Sequence, residues 1–313
     1  MNSLIPVFDF QRMFVLPWTH DLPFTGSWML MGFLVTAACG LVGNYLMLRR
    51  MALMGDAVSH SVLPGLVIAF LFTGSRGTGA MFLGALLAGV ATTVIIETIH
   101  RKTRVKQDAS IGVTFTTLFA IGVVLVSVYS SQVDLDAECV LYGEIGYIPA
   151  ITGWGEIPEA ILRMGGVLVV VTGLIGVFYK ELLVSSFDAG LARSLGINTT
   201  AVHYGMMIML SVVVVSAFEA VGSILVVAML ILPGATAGML STRLAVVHGL
   251  SVVHAALSAV LGFHLSLVLG SQIGPAMVVA GAGLFGIAWV FSPTQGLLRR
   301  WFRRPVAVGE PVV

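Results

Sequence analysis

The chain has 313 residues, 58% of them hydrophobic and 10% charged, with a net charge of +1 and a mean hydropathy of +1.01. That composition excludes a soluble globular domain, and the near-neutral balance supplies no basic field for nucleic acid. Cys39 lies in the first apolar run and Cys139 in a loop, so neither a disulfide between them nor a Cys-based metal site is expected.

The first 27 residues contain Asp9, Arg12, Pro17, Asp21 and Pro23 and lack the basic-then-apolar order of a cleavable signal. They read as an interfacial segment, with Trp18 and Trp28 near the lipid headgroups. Apolar runs follow at about 28–48, 56–73, 79–99, 110–130, 161–180, 202–218, 220–240, 244–268 and 272–292. Judged against the roughly 20 residues a spanning helix needs, this predicts an all-α polytopic membrane protein with about nine transmembrane helices. The weakest division is at Glu219; an undivided 202–240 would make eight. Residues 28–300 form one membrane domain, and 301–313 form a tail. Gly84, Gly89, Gly173, Gly176, Gly281, Gly283 and Gly286 suit close helix approach in lipid.

Nine spans with the N-terminus outside put Arg49, Arg50, Arg101, Lys102, Arg104, Lys106, Lys180, Arg193, Arg243, Arg299, Arg300, Arg303 and Arg304 in the cytoplasm. Only Arg12, Arg76 and Arg163 remain outside, an asymmetry of thirteen to three that favours nine spans and a cytoplasmic C-terminus. The longest outer connection, 131–160, carries Asp134, Asp136, Glu138, Glu144, Glu156 and Glu159. Such a surface attracts cations and basic partner patches, and it equally fits ordinary loop solubility. Tyr147 and Trp154 suggest that part of the loop lies in the interface.

The second run opens with Asp56 and His60, one helical turn apart on one face, so both side chains can reach a single ion. The same residues also fit a helix N-cap at Asp56 and an interhelical hydrogen bond from His60, which Ser59 and Ser61 flank. A carboxylate inside a span costs roughly 2.5–3.5 kcal/mol, so the pair points to a water-filled path or a subunit seam. Between the fifth and sixth runs, Phe187, Leu191 and Leu195 recur every four residues. Ser186 or Asp188 can cap a short helix there, and Gly196 can stop it. This brief amphipathic helix is too short and too poor in Lys and Arg to bind lipid well, and a helix-in-groove protein contact fits it better.

The run Arg49-Arg50-Met51-Ala52-Leu53-Met54-Gly55-Asp56-Ala57-Val58-Ser59-His60-Ser61-Val62-Leu63-Pro64-Gly65 closely resembles the signature of the manganese/zinc-type ABC importer permeases. Phe187-Asp188-x-x-Leu191-Ala192-x-x-Leu195-Gly196-Ile197 looks like the coupling helix of that family. Val221 to Ala237, with Pro233 as a bend, resembles its helix returning to the cytoplasm. The resemblance spans about 49–300 in the expected order. It implies a permease domain over 28–300 in a bacterial plasma (inner) membrane, with Phe187, Leu191 and Leu195 entering a cytoplasmic ATPase. It further implies an extracytoplasmic metal-binding protein as donor, and a second permease copy or paralogue forming a two-fold pair.

Two copies would bring two Asp56 and two His60 to the seam. That N₂O₂ set suits Mn²⁺, Zn²⁺ or Fe²⁺ as transported cargo and suits all-oxygen Mg²⁺ or Ca²⁺ poorly. No permanent cofactor is expected. The chain contains no Gly-x-x-x-x-Gly-Lys-Ser/Thr, so ATP is used by the partner and the chain itself is not an enzyme. Glu219 is either a secondary cation contact or an interfacial carboxylate. His248, His254 and His264 are separated by six and ten residues, which places them on different faces and makes them structural. Two other classes fit parts of the pattern. An intramembrane metalloenzyme lacks a His-Glu-x-x-His and has no use for the 186–197 helix, and a proton-driven secondary transporter would ordinarily show inverted repeats.

Overall fold

The computed structural model of the chain describes residues 10–74, 78–129, 145–149, 157–292 and 296–297, and among these every regular element is helical. A π-helical turn at Gln11–Val15 leads into α1 (Leu16–Thr19). Long helices follow: α2 (Leu22–Leu48), α3 (Met54–Thr73), α4 (Thr78–Lys102), α5 (Gln107–Tyr129) and α6 (Glu159–Val177). Two short helices, α7 (Tyr179–Phe187) and α8 (Ala189–Ser194), precede α9 (Thr199–Val221) and α10 (Ser223–Leu240). The last two are α11 (Leu244–Leu269) and α12 (Ile273–Phe291). Among the described residues nine helices are long and apolar enough to cross a membrane. Helix is what these apolar runs must adopt, because hydrocarbon offers no partner for backbone N–H and C=O groups.

The division of 202–240 is made at Gly222, not at Glu219. Gly222 takes φ 78° and ψ 166°, a region open to glycine, and its N–H closes α9 on the Phe218 carbonyl before Ser223 starts α10. Helix α2 begins six residues earlier than its apolar run. Pro23 sits in the first turn, where its missing N–H costs nothing, and Ser27 donates back to the Pro23 carbonyl at 2.7 Å. At 27 residues α2 is about 40 Å long, which exceeds the hydrocarbon core and leaves its ends at the headgroups.

Helix α2 is the axis of the bundle, buried from Met29 to Leu46 along most of its length and packed against α6, α9, α10 and α11. Helices α3, α4 and α5 form a second group, joined to the first through α9 and α10. Gly65 of α3 and Gly84 of α4 meet backbone to backbone; a Cβ on Gly84 would lie 2.5 Å from the Gly65 carbonyl oxygen. Gly43 of α2 makes the same kind of approach to the Leu230 carbonyl on α10. By contrast Gly173, Gly176, Gly283 and Gly286 have nothing within 4 Å of where a Cβ would stand, so these four glycines do not mediate packing within the chain.

The three histidines of α11 are structural, each with its own partner. The Asn44 amide lies 2.9 Å from His248 Nδ1 and donates to Ser251 at 3.1 Å. His254 Nε2 meets the Gly281 carbonyl at 3.2 Å. His264 receives the Trp18 indole N–H at 3.3 Å and meets the Met13 carbonyl at 3.2 Å, which ties the N-terminal segment to the end of α11. Trp28 holds the 145–149 piece by donating to the Ile148 carbonyl at 3.1 Å. Most of the acidic 131–160 connection, Trp154, Arg76, Cys139 and the 301–313 tail lie outside the described residues.

Candidate functional site

Helix α3 begins at Met54 with Leu53 at the N-cap, so Asp56 sits in the first turn and does not cap it. The preceding turn is built by paired bonds from Arg50 N–H to Met47 O and from Met51 N–H to Leu46 O. These need a left-handed residue between them. Glycine fills that role at Gly74, Gly196 and Gly270, but here it is Arg50, at φ 59°, the one positive-φ residue other than glycine among the described residues. A non-glycine residue there costs roughly 1–2 kcal/mol.

His60 Nε2 lies 3.3 Å from Asp56 Oδ1, and the two side chains are 26% and 37% exposed. The imidazole rests against the rings of Phe115 and Phe119 on α5, with centroids 6.0 and 5.9 Å away. Among the described residues no hydrogen bond from His60 to another helix forms; Ser59 and Ser61 donate to carbonyls of their own helix. Pro64 has no N–H to close on the His60 carbonyl four residues before it, which leaves that oxygen without its usual amide. The structure thus brings Asp56 and His60 together on a half-open face. Among the described residues no third His, Cys, Asp or Glu joins them.

The segment after α6 is not one amphipathic helix but two short ones. Asp188 is extended (φ −145°, ψ 102°) and its Oδ1 accepts from the N–H groups of Gly190 at 2.8 Å and Leu191 at 3.0 Å. The side chain competes with the helix for these amides, so α7 stops and α8 starts. The same two donors hold the Asp188 carboxyl below its ordinary range. Gly196 (φ 81°) ends α8, with Gly196 N–H to Arg193 O and Ile197 N–H to Ala192 O, both 3.0 Å. Phe187 therefore belongs to the end of α7, while Leu191 lies in α8 and Leu195 caps it. All three are exposed, at 65%, 52% and 62%, whereas the neighbouring Ala192 is fully buried. Ser186 does not cap.

Ser186 instead receives the Nε–H of Arg49 at 3.1 Å, and Ser185 receives its Nη2–H at 2.8 Å. Arg49 Nη1 also faces His203 Nδ1 at 3.4 Å. A guanidinium only donates, so Nδ1 is the lone-pair nitrogen and the ring proton sits on Nε2. That nitrogen lies 2.9 Å from Glu97 Oε2, off the line of an ideal N–H bond. Glu97 is also paired with Arg101, one turn further along α4. Glu97 and His203 are 5% and 9% exposed. Burial lowers the pKa of Arg49, yet a guanidinium keeps its proton in proteins. Sequence reasoning counted Arg49 and Arg101 only as basic flanks and passed over Glu97 and His203. The available signal was an acid inside an apolar run, four residues before an arginine. The backbone of Glu219 lies in α9, and its side chain is outside the described residues.

Residues 21–292 match the model of the ABC 3 transport family. The chain belongs to that family. Its membership covers all nine spans and every site residue named above. Among ABC 3 relatives, the chain is 44% identical to the manganese transport system membrane protein MntD of Bacillus subtilis, over 87% of this chain and 93% of that one. It is 37% identical to the zinc transport system membrane protein TroD of Treponema pallidum, over 87% and 75% of the two chains. Among solved structures it is similar to PsaBC from Streptococcus pneumoniae in complex with Fab, with a TM-score of 0.77 and 31% identity over 94% of this chain and 100% of that one. This ABC 3 chain is a multi-pass protein of the bacterial plasma membrane.

Proposed function

We propose that the chain is the permease subunit of an ATP-driven importer for a divalent transition metal ion: manganese, zinc or, by similar chemistry, iron. The observation that carries this reading is the Asp56–His60 pair, 3.3 Å apart on a half-open helix face of an ABC 3 chain. Left against lipid, a carboxylate there would cost roughly 2.5–3.5 kcal/mol, so the face is better suited to a seam with a second permease subunit, a copy or a paralogue. One chain offers two side-chain ligands. Two chains offer two carboxylates and two imidazoles, a set that favours Mn²⁺, Zn²⁺ or Fe²⁺ over Mg²⁺ and Ca²⁺. Such a site holds its ion transiently, since conduction requires release as well as entry.

The end of the bundle that bears Arg49, Arg101, Arg193 and Arg243 is the cytoplasmic one by the excess of basic residues. There, the end of α7 and α8 together offer Phe187, Leu191 and Leu195 to an ATPase subunit in the helix-in-groove manner. A solute-binding protein delivers the ion at the opposite end, and nucleotide chemistry stays with the ATPase. The test is uptake of radiolabelled manganese and zinc into vesicles that hold this chain, its cognate ATPase and a binding protein. ATP-dependent uptake that vanishes in Asp56→Ala supports the reading. Uptake that needs no ATP, or persists in Asp56→Ala, overturns it.

A further inference from the structure

The Arg49 fork joins two things that the importer reading keeps apart: the segment that docks the ATPase and the helix that carries the metal ligands. Ser185 and Ser186 occupy the last turn of α7, directly before the Asp188 cap of α8. Arg49 is the first residue after α2, in the turn that ends where α3 begins at Met54, with Asp56 in that first turn. Arg50, next to it, holds a left-handed conformation that an arginine keeps only where its surroundings dictate it. Behind the fork, His203 ties Arg49 to α9 and, through Glu97, to α4 and Arg101. Three of these groups, Arg49, His203 and Glu97, are buried or partly buried, and none touches the Asp56–His60 pair. Neither metal binding nor ATPase docking uses them directly; as a partnered polar network they hold α4, α7, α9 and the α2–α3 turn in one arrangement.

We propose that Arg49, gripped by Ser185 and Ser186 and backed by His203 and Glu97, is the positioning residue that transmits ATPase-driven movement of α7 and α8 to the α2–α3 turn and so to Asp56. The inference rests on the reading of α8 as the ATPase-docking helix. A guanidinium suits this task because its planar fork fixes direction as well as distance, whereas an ammonium at the same place keeps charge without orientation. Breaking the fork leaves the docking face on α8 and the ligands on α3 intact and removes the link between them.

The experiment uses the complete complex of permease, ATPase and binding protein in proteoliposomes, with manganese as the cargo. Three quantities are read: ATPase affinity, ATP hydrolysis and manganese ions taken up per ATP. In Ser185→Ala/Ser186→Ala and in Arg49→Ala, ATPase affinity and hydrolysis stay near the unmodified values while ions per ATP fall about tenfold, a typical size for a broken coupling between sites. Arg49→Lys recovers part of that ratio. An unchanged ratio in the serine pair, which removes only two hydroxyls and keeps the fold, overturns the proposal. So does a loss of uptake that merely follows a loss of ATPase binding, which is what a purely structural role would give. If the unmodified complex shows no ATP-driven uptake at all, the importer reading falls and the relay falls with it, which separates the two failures.

Discussion

The triple variant Phe187→Ala/Leu191→Ala/Leu195→Ala addresses the docking face most directly. Leu191 is 52% exposed in the free chain. Full burial of a leucine side chain is worth about 1.5–3 kcal/mol, so covering the exposed half contributes about 1 kcal/mol. With 1.4 kcal/mol per decade, Leu191→Ala alone weakens ATPase binding by about fivefold. Leu195 and Phe187, at 62% and 65% exposed, add similar or larger amounts. The three together reach about 3–4 kcal/mol, or about 100- to 1,000-fold, as an upper bound because such contributions are not additive. The measurement is equilibrium binding of the purified ATPase to the permease in detergent or nanodiscs, with the thermal midpoint of each permease as a control. Exposed side chains contribute little to the fold, so stability changes by no more than about 0.5 kcal/mol per site. A triple variant that binds within about twofold of the unmodified chain would refute the argument that this face is covered by the ATPase.

Asp56→Ala and His60→Ala abolish metal uptake without loosening the ATPase complex, read by vesicle uptake and co-purification; retained uptake in either removes that residue from the pathway. Asp188→Ala frays the start of α8 and weakens ATPase binding, while Asp188→Asn, which still accepts from the same amides, largely preserves it. The Asp188 carboxyl is depressed by its two backbone donors, so the cap is fully present above the unfolded pKa of about 3.9 and fails only as pH falls through the lower folded value. ATPase binding is accordingly flat between about pH 6 and 8 as far as this group is concerned, and a step in that range that Asp188→Asn removes would contradict the assignment. Gly84→Leu forces a side chain into the Gly65 backbone and costs at least the 1–3 kcal/mol typical of overpacking, roughly speaking, whereas Gly283→Ala is neutral; thermal unfolding in detergent ranks the two.

The spans were legible in the sequence because a membrane makes the rule simple: about 20 apolar residues form a helix, whatever its neighbours do. Boundaries were less so. Helix α2 extends back through Pro23 because proline is harmless in a first turn, and composition alone counted that stretch as interfacial. The Asp56–His60 pair was readable from its spacing, and so were the cap and stop of α8 at Asp188 and Gly196. The break between Phe187 and Leu191 was not, because a period of four looks the same whether or not an aspartate has taken two amides out of the helix. Likewise Gly173 and Gly176 of α6 and Gly283 and Gly286 of α12 read like Gly84 of α4, since close approach is a property of two helices and the sequence shows one at a time.

Local rules are broken at one conspicuous place, the turn from α2 to α3. Four glycines with positive φ stand at other turns and element ends, and here an arginine stands at φ 59°. The penalty of roughly 1–2 kcal/mol persists only if neighbouring contacts over-determine the conformation. Arg49 supplies them, with bonds to two serines and a contact to His203. A turn whose backbone bonds are backed by side-chain bonds, and not by glycine, has a conformation that depends on where those partners stand. Two of the partners sit in the last turn of α7, one residue and two before its end, and α8 is itself fixed at both ends by Asp188 and Gly196. A short helix without a cap would absorb a push by fraying; a capped one passes it on. The combination of a stiff α8, a fork of fixed geometry and a strained turn beside Asp56 is what a device for converting ATPase motion into ligand motion requires.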